Sequence, residues 1–370
     1  MEVQKSIDEL GFKTIFPIQA QAIMPLLEGK DVIGQAQTGT GKTAAFGVPM
    51  VERLDPQVRK VQGLILCPTR ELALQVANNL HQFSKYRKLR VLPVYGGTSI
   101  ERQIRELQNG AQIVVGTPGR IIDLLERRIL NLAAVKVVVL DEADRMLDMG
   151  FIDDIEFILR KVPTDRQTSL FSATMDKKVM SIANRYMKNP VKILVSKDEI
   201  ALTQMKQLYT VVNQNGKFET LCKILHGDHV DKVIVFCRTR RDTSRVSDQL
   251  ERKGYRVQAL HAGFTQSQRD RAISDFRSGR LNLLIATDVA ARGLDIQGIT
   301  HIVNYDVPAD PLVYFHRIGR TARKGDDGTA ITLVSYGEMS NFNNIKTLTK
   351  TKIEEIASQK NSDSPIVSFY

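Results

Sequence analysis

The residues at positions 36–43, Ala-Gln-Thr-Gly-Thr-Gly-Lys-Thr, have the composition of a phosphate-binding loop. They follow a short apolar run and precede a helical pattern, and this strand–loop–helix order is what a phosphate cradle requires. Glycines let backbone N–H groups approach phosphate oxygens, and the N-terminus of the following helix adds a positive dipole. The alternative is a glycine turn with a chance Lys-Thr pair, which the context disfavours. The predicted nucleotide-binding residues of this loop are Ala36, Gln37, Thr38, Gly39, Thr40, Gly41, Lys42 and Thr43.

Two side chains of the loop bring specific chemistry. Lys42 supplies a positive charge for the β- and γ-phosphates of a nucleotide, and the hydroxyl of Thr43 is a natural Mg²⁺ ligand. The strict loop pattern begins with glycine, where this chain has Ala36. The backbone contacts are therefore expected mainly from Gly39 and Gly41.

The acidic residues at 141–144 are predicted to lie beside this loop. They end the apolar run 135–140, which lacks polar alternation and is typical of a strand covered on both faces. In open α/β sheets, ligands bind beyond the carboxyl ends of the strands. Because Mg²⁺ is usually held by one or two carboxylates, Asp141 is the predicted metal partner, and Glu142 is the predicted base for the attacking water. A helix N-cap at Asp141 or Asp144 is the alternative.

The composition indicates a globular chain with a polyanionic partner. A length of 370 residues fits two or three domains, and 42% hydrophobic with 25% charged residues is ordinary for such a chain. The net charge of +11 is not ordinary, and it favours nucleic acid or an anionic membrane surface as the partner. Charge alone leaves open a basic surface that serves only solubility.

No feature of the sequence predicts membrane insertion or secretion. No uninterrupted apolar run approaches the roughly 18 residues of a membrane span, and the N-terminus has no apolar signal-peptide core. The cysteines Cys67, Cys222 and Cys237 are scattered, so buried thiols are expected rather than a disulfide framework or a zinc site. These features favour the reducing cytoplasm.

Short β-branched runs alternate with helical patterns along the chain, which predicts parallel βαβ construction. A first series of predicted strands comprises 31–34, 63–68, 91–95, 112–116, 135–140, 168–171 and 191–195. A second series comprises 207–212, 233–237, 256–260, 283–287, 301–304 and 329–334. We therefore expect an α/β fold with two tandem lobes, each a mostly parallel sheet flanked by helices. The predicted boundaries are 1–196 for the first lobe, 197–206 for a linker, 207–350 for the second lobe and 351–370 for a C-terminal tail.

The loop at 36–43 and the Asp-Glu-Ala-Asp sequence at 141–144 resemble two motifs of the DEAD-box RNA helicases. The resemblance covers roughly residues 11–345, and this many ordered matches do not arise by chance. The further matches, in the order of that family, are Pro-Thr-Arg-Glu-Leu-Ala at 68–73, Gly-Gly at 96–97, Thr-Pro-Gly-Arg at 117–120, Ser-Ala-Thr at 172–174, Val-Phe-Cys-Arg at 235–238, Gln266 with Arg269, Ala-Thr-Asp-Val-Ala-Ala-Arg-Gly-Leu-Asp at 286–295 and His-Arg-Ile-Gly-Arg-Thr-Ala-Arg at 316–323.

The resemblance implies two RecA-like lobes and hydrolysis of ATP with Mg²⁺ as the cofactor. It identifies Arg320 and Arg323 as arginine fingers that join Lys42 and Glu142 in the catalytic charge set. Asp295 is then expected to accept a hydrogen bond from the ribose. A helix cap at 172–174 and a solvated basic helix face at 316–323 are the alternatives. The residues implied in coupling hydrolysis to unwinding are Asp144, Ser172, Thr174 and His316.

Residues 11–19 of this chain, Gly-Phe-Lys-Thr-Ile-Phe-Pro-Ile-Gln, resemble the segment with which the family recognises adenine. The pattern of that segment is Gly-Phe-x-x-Pro-Thr-x-Ile-Gln. Phe12 and Gln19 are kept, so the resemblance implies stacking on adenine and a hydrogen bond to its edge. Ile15 and Phe16 replace the Pro-Thr pair, which removes a hydroxyl from this region.

The resemblance also implies contacts to an RNA backbone from both lobes. Phosphate contacts position a strand without reading its bases, so sequence-independent binding is expected. Aromatic residues make up only 6% of the chain and tryptophan is absent, which argues against a base-stacking platform. The preference for RNA over DNA comes from the resemblance alone. The implied RNA-binding residues are Arg70, Gly97, Thr117, Gly119, Arg120, Arg269 and Thr287.

The function that the sequence predicts is an RNA-stimulated ATPase that locally unwinds or remodels RNA duplexes and RNA–protein complexes. Its expected partners are ATP with Mg²⁺ and both single-stranded and duplex RNA, and we expect a cytoplasmic monomer that does not bind membranes. A clamp that binds RNA without hydrolysing ATP is one alternative, and Glu142, Arg320 and Arg323 argue against it. A DNA-translocating helicase is the other.

Overall fold

The computed structural model describes residues 2–12, 14–36, 40–195, 205–291, 296, 298–319, 321, 328–349 and 353–356. The chain divides into two compact units, Met1–Glu199 and Ile200–Tyr370, which we call lobe one and lobe two. Of the predicted linker at 197–206, only residues 205 and 206 lie within the described residues. These two residues already belong to the first strand of lobe two.

Lobe one is built on a single parallel sheet. Its strands are β1 (Val32–Gln35), β2 (Gly63–Leu66), β3 (Val91–Val94), β4 (Ile113–Gly116), β5 (Val137–Asp141), β6 (Gln167–Ser172) and β7 (Val191–Leu194). They lie in the order β3-β4-β2-β5-β6-β1-β7, and each adjacent pair is parallel. The helices are α1 (Glu2–Glu9), α2 (Pro17–Leu27), α3 (Lys42–Arg53), α4 (Arg70–Phe83), α5 (Ile100–Gln108), α6 (Pro118–Glu126), α7 (Ala143–Asp148), α8 (Ile152–Lys161) and α9 (Lys177–Tyr186).

The apolar runs form strands here because both faces of the sheet are covered. Every residue of β2, β4, β5 and β6 is buried, as expected of a parallel sheet packed between helices. On one face, Leu64 and Val138 share a core with Ile121 of α6, Ile158 of α8 and Ile182 of α9. The edge strand β7 is only partly buried, since it has a neighbour on one side alone.

Lobe two repeats this architecture. Its strands are β8 (Met205–Val211), β9 (Val233–Phe236), β10 (Val257–Leu260), β11 (Leu283–Ala286), β12 (His301–Asn304), β13 (Gly328–Val334) and β14 (Glu354–Glu355). They lie in the order β10-β11-β9-β12-β13-β8-β14, again with parallel pairs. The helices are α10 (Lys217–Leu225), α11 (Arg240–Arg252), α12 (Gln266–Arg277), α13 (Asp288–Ala291), α14 (Pro311–Ile318) and α15 (Met339–Thr349). The predicted α/β fold with two parallel-sheet lobes is confirmed.

Three details differ from the sequence prediction. The strand β8 begins at Met205, two residues before the predicted start of lobe two. Glu354–Glu355, placed in the tail by the sequence, pair with β8 as a short strand, and two residues are too few to show any periodicity. Cys222 on α10 is half-buried, whereas Cys67 and Cys237 are buried as expected. No helix among the described residues combines the length and apolar character that crossing a membrane requires.

The order of the strands determines which loops become neighbours. All carboxyl ends of a parallel sheet meet at one edge, so the segments after adjacent strands lie side by side. In lobe one, β5, β6 and β1 are adjacent, and they are followed by the acidic residues, the Ser-Ala-Thr segment and the phosphate loop. The adjacent strands β3, β4 and β2 precede the residues implied in binding RNA. The edge of one sheet therefore carries two separate sets of functional candidates.

A buried charge cluster holds the corresponding edge of lobe two. The amine of Lys217 is fully buried and donates to Asp306, after β12, at 3.2 Å and to Glu338, after β13, at 2.7 Å. Burial alone would raise the pKa of Glu338, but the hydrogen bonds from Lys217 and Ser335 outweigh it and hold the pKa below its usual value. Because the folded state favours the carboxylate, this stabilisation is present at neutral pH and is lost as the pH falls through the lowered pKa.

Replacing Lys217 with methionine should destabilise lobe two by about 3–5 kcal/mol, because Asp306 and Glu338 lose their buried counter-charge and Glu338 keeps only the more exposed Arg238. Equilibrium unfolding in urea at neutral pH measures the change. The control is Lys223→Met, which removes an exposed pair with Glu219 and should cost less than about 1 kcal/mol. Equal effects from the two variants would show that the buried cluster contributes nothing particular to lobe two.

Candidate nucleotide site and nucleic-acid interface

The described ends of the phosphate loop are held together by Lys42. Gln37, Thr38 and Gly39 lie outside the described residues. The residues that flank them are joined by a hydrogen bond, which the buried amine of Lys42 donates to the carbonyl of Ala36 at 3.0 Å. An ammonium group has three N–H donors, so this contact leaves donors for phosphate oxygens. Thr40 is buried, and Thr43 is half-buried in the first turn of α3.

Gly41 must be glycine, since it both turns the chain and lies against Gln19. Its φ of 81° is left-handed, and a Cβ atom there would lie 2.3 Å from Nε2 of Gln19. The amide of Gln19 donates to the carbonyl of Gly41 at 3.1 Å, and its oxygen accepts the N–H of Phe16 at 2.9 Å. The predicted adenine contact thus also braces the phosphate loop against the start of α2.

The surroundings of Gln19 form an open, largely apolar recess. Phe12 is 45% exposed, and its ring lies edge-on to Phe83 with 6.3 Å between ring centroids. Phe12, Ile15 and Gln19 line a cavity of about 550 Å³ together with residues of α1, α2 and α3. Space for a ring beside the phosphate loop is therefore available.

Asp141 at the end of β5 has a buried carboxylate oxygen that no other described residue contacts by a hydrogen bond. Its side chain is buried, and Oδ1 has no hydrogen-bond partner among the described residues. Burial raises the pKa of this carboxyl to about 6, although the nearby charge of Lys42 lowers it. A buried carboxylate oxygen without a partner fits a hard divalent cation, which would favour the ionised form.

Glu142 is held by a strained backbone and an ion pair. Its φ of 53° and ψ of 52° lie in the left-handed region, which costs a residue other than glycine about 1–3 kcal/mol. Its carboxylate pairs with the guanidinium of Arg145, and both side chains are about 4% exposed. Glu142 itself is the N-cap residue of α7 and makes no side-chain cap bond, so the alternative N-caps at Asp141 and Asp144 are wrong.

Asp144 connects the acidic segment to the Ser-Ala-Thr segment. Its N–H donates to the hydroxyl of Ser172 at 3.2 Å, and its Oδ2 accepts the N–H groups of Ala173 at 3.1 Å and Thr174 at 3.0 Å. The cap of the next helix, α9, is Asp176. The alternative reading of 172–174 as a helix cap is therefore wrong, and these residues join the ends of β5 and β6.

The RNA-binding candidates of lobe one form an open backbone surface. A Cβ atom on Gly96 or Gly119 would have no atom within 4 Å, and Gly97 has a left-handed φ of 80°. Thr117 is the N-cap of α6 and makes no side-chain cap bond. Backbone N–H groups in such open turns suit phosphate oxygens.

The two arginines of this set are braced within the protein. Arg120 donates to Gln103 at 3.2 Å and to the carbonyl of Thr98 at 3.3 Å, and its side chain is 12% exposed. It therefore holds the loop after β3, which was not foreseen from the sequence. The guanidinium carbon of Arg70 lies 4.7 Å from the ring centroid of Tyr95.

Only some of the functional residues predicted in lobe two lie within the described part of the chain. Thr287 is buried directly after β11, Arg269 is half-buried on α12 and His316 is half-buried on α14. The predicted fingers Arg320 and Arg323 and the predicted ribose contact Asp295 lie outside the described residues.

Two residues of functional interest were missed by the sequence analysis. Arg145 is buried and pairs with Glu142, and its Nε and Nη2 have no partner within the described part of the chain. Its spacing of three residues from Glu142, which suits an ion pair on one face of a helix, was the available signal. Arg317 is buried in lobe two, although the sequence placed it in a basic segment.

Comparison with known proteins assigns the family. The family model for the DEAD/DEAH box helicase matches residues 16–182, and that for the helicase conserved C-terminal domain matches residues 216–325. The ATP-dependent RNA helicase CshA of Listeria monocytogenes is 48% identical over 96% of this chain and 68% of that protein. The chain belongs to the DEAD-box helicases. CshA of Bacillus subtilis is 46% identical over 96% of this chain and 72% of that protein.

Solved DEAD-box structures share the fold. Dbp5 of S. cerevisiae bound to RNA and ADP BeF3 is 34% identical, covers 96% of this chain and 93% of that chain, and has a TM-score of 0.87. A DEAD box protein from Methanococcus jannaschii is 38% identical, covers 96% of both chains and has a TM-score of 0.57. The predicted family and its tandem RecA-like lobes are confirmed.

The position of Phe16 at the start of α2 shows what replacing the family's threonine changes. Phe16 is the N-cap residue of α2, so the family's threonine would stand where a hydroxyl accepts a backbone N–H. Gln19, at the third helical position, already bonds the Phe16 N–H. This DEAD-box chain therefore retains half of a capping box.

Phe16→Thr should stabilise lobe one by about 0.5–2 kcal/mol relative to Phe16→Ala, because the hydroxyl completes the capping box. The alanine variant is the control, since both variants remove the ring and only threonine adds the cap. Thermal unfolding of the two variants gives the difference. Equal stability of the two variants would contradict the assignment of Phe16 as a deficient cap.

Proposed function

We propose that this chain is an ATP-dependent RNA helicase that uses ATP hydrolysis to separate short RNA duplexes and to remodel RNA–protein complexes. The observation that carries the proposal is the edge of the lobe one sheet. There, β5, β6 and β1 lead into the phosphate loop and its acidic partners, and β3, β4 and β2 lead into an open backbone surface. The names of the CshA relatives and the RNA-bound Dbp5 support the same function.

The nucleotide set has the groups that phosphoryl transfer to water requires. Lys42 supplies charge at the phosphates, and Glu142, held by Arg145, orients the attacking water and accepts its proton. Magnesium, when bound by Asp141 and Thr43, would neutralise part of the phosphate charge. Phe12 and Gln19 recognise adenine, Asp295 holds the ribose, and Arg320 and Arg323 stabilise the leaving phosphate charge in this proposal.

The RNA set explains binding without sequence preference. Gly97, Thr117 and Gly119 offer backbone N–H groups and a hydroxyl, which contact phosphates and not base edges. Arg70 and Arg120 add charge on lobe one, as Arg269 and Thr287 add contacts on lobe two. We further propose that the chain acts as a monomer in the cytoplasm.

In the proposed cycle, ATP hydrolysis by the nucleotide-binding residues is coupled to RNA binding by the other set. ATP binding promotes closure of lobe two on lobe one and traps a bent single strand, and hydrolysis releases it. Asp144 supports this role, since one of its carboxylate oxygens bonds the segment after β6 at two backbone N–H groups. The contacts of Ser172 and Thr174 with Asp144 connect the acidic segment to this turn. His316 is the corresponding candidate on lobe two.

Glu142→Gln should lower ATP turnover by about 10²–10⁴-fold, because the side chain keeps its size but loses the base. Lys42 and Asp141 are unchanged, so ATP should still bind and RNA should dissociate more slowly than from the unmodified chain. Steady-state ATPase assays and fluorescence anisotropy after addition of competitor RNA, with ATP present, measure the two effects. Glu126→Gln makes the same change at an exposed position of α6 and is the control.

A variant that neither hydrolyses ATP nor retains RNA longer would show that hydrolysis is not the release step. Normal turnover in Glu142→Gln would instead remove Glu142 from the chemistry.

RNA should stimulate the ATPase more strongly than DNA of the same sequence and length. The physical reason is that 2′-hydroxyl contacts favour RNA in a site that otherwise contacts only the phosphates. Turnover measured at saturating RNA and DNA tests this preference. Equal stimulation would favour a helicase that acts on both nucleic acids, and an absence of stimulation by either would favour a nucleotide-dependent clamp.

A further inference from the structure

A cavity at the free edge of strand β3 in lobe one lies away from the proposed nucleotide and RNA contacts. It has a volume of about 490 Å³ and lies between the ends of α4 and α5. β3 is the outermost strand of its sheet and pairs with β4 alone. The residues that line the cavity precede β3 and β4 or begin β3, whereas the RNA candidates of lobe one follow β2, β3 and β4. The cavity and the RNA candidates are therefore at opposite ends of the same strands.

The buried part of the cavity lining is mostly apolar. Its apolar members, each at most 5% exposed, are Leu89, Val91, Leu92 and Ala111. Ser84 is the buried polar member, and its hydroxyl is already bonded to the carbonyls of His81 and Leu89. A lining of this kind favours a ligand that brings an apolar side chain, which the phosphate backbone of a nucleic acid lacks.

The exposed part of the lining is basic. Lys88 and Arg90 are exposed and form no ion pair within the described part of the chain. The guanidinium of Arg90 bonds only a backbone carbonyl at the end of α5. Lys85 also lines the cavity and pairs with Glu9 of α1 at 2.6 Å. Glu106, the acidic member of the lining, pairs with an arginine of its own helix. Two positive charges are therefore available beside the apolar lining.

The backbone of Lys88 is unfavourable for a lysine. Its φ of 56° is left-handed, and its N–H closes the turn after α4 by donating to the carbonyl of Ser84 at 2.8 Å. Glycine is the usual residue at such helix ends, and Gly29 and Gly110 take left-handed φ values after α2 and α5. The dipole of α4 does not require this lysine, because the last turn of the helix already carries His81. A strained residue that keeps its charge in a cavity indicates a ligand for that charge.

The edge of β3 itself is poorly suited to pairing with an added strand. The carbonyls of Arg90 and Val94 accept N–H groups from the side of β4, so by alternation Val91 and Pro93 face the free side. Proline has no N–H to offer to a further strand. Recognition of a ligand therefore depends on the side chains that line the cavity.

We propose that this cavity binds an acidic peptide segment of a partner protein. An apolar side chain of the peptide packs on the buried lining, and its carboxylates accept charge-assisted hydrogen bonds from Lys88 and Arg90. A second copy of this chain is a poor occupant, because each copy carries a net charge of +11. The inference goes beyond the proposed function and does not rest on it, since none of the residues that line the cavity belongs to the nucleotide or RNA set.

The test uses Lys88→Gly in the full chain, because this change removes the charge and relieves the left-handed backbone together. The probe is a short fluorescent peptide in which aspartate and leucine alternate, and anisotropy gives its dissociation constant. Lys88→Gly should weaken binding by about fivefold, the effect of losing one partly exposed ion pair. Its melting temperature should not fall, since glycine suits the backbone there. Arg128→Gly, the control, makes the same change at a left-handed residue after α6, outside the cavity, and should keep the affinity for the peptide.

Each result supports or overturns the proposal. Equal affinities of the Lys88→Gly and Arg128→Gly variants would place the peptide elsewhere on the protein. No binding by the unmodified chain, or equal binding of a peptide with asparagine in place of aspartate, would also overturn the proposal. A lower melting temperature of Lys88→Gly would assign Lys88 to the stability of lobe one instead. A loss of affinity for duplex RNA that matches the loss for the peptide would make the cavity part of a nucleic-acid surface and overturn the proposal.

Discussion

The parallel register of the lobe one sheet is the constraint on which the rest depends. Parallel pairing places all strand carboxyl ends at one edge, and the strand order divides that edge into a proposed nucleotide half and a proposed RNA half. The boundary runs between β2 and β5, which are hydrogen-bonded neighbours. The segments proposed to hold phosphate and those proposed to contact RNA are therefore attached to one sheet.

Charged side chains that are buried at these edges lose their contact with water, and most of them are compensated by ion pairs. Glu142 is paired with Arg145, and Lys217 is paired with Asp306 and Glu338, so that each buried charge has an opposite charge in contact. Asp141 differs, because one of its oxygens has no partner among the described residues and burial raises the pKa of the group. The carboxylate of Glu142 and the amine of Lys217 thus each contact an opposite charge within the protein, whereas this oxygen of Asp141 remains available to an ion. This contrast is physical support for Asp141 as a ligand.

The sequence predicted what depends on local pattern. The apolar runs gave the strands to within a few residues, and glycines and carboxylates after strands indicated the phosphate loop and the acidic segment. Contacts across the chain were not predictable in this way. Arg317 meets Asp288 at a distance of 29 residues, and only the fold shows that the pair is buried. The deficient cap at Phe16 likewise becomes visible only when α2 is known to begin at Pro17.

Arg120 and Arg317 each position a turn of this chain. Losing one partner of a buried ion pair costs about 3–5 kcal/mol, a large part of the roughly 5–15 kcal/mol that stabilises a domain. Such pairs can therefore hold a segment in place where apolar packing cannot. Turns that bind phosphates are segments of this kind, since their backbone must stay open to the ligand. Arg120 holds the turn after β3, and Arg317 holds the turn after β11, each from the protein side. Arg120 and Arg317 thus shape these two turns, and in the proposed RNA contacts the backbone and short polar side chains of the turns meet the phosphates, which suits binding without a preference for base sequence.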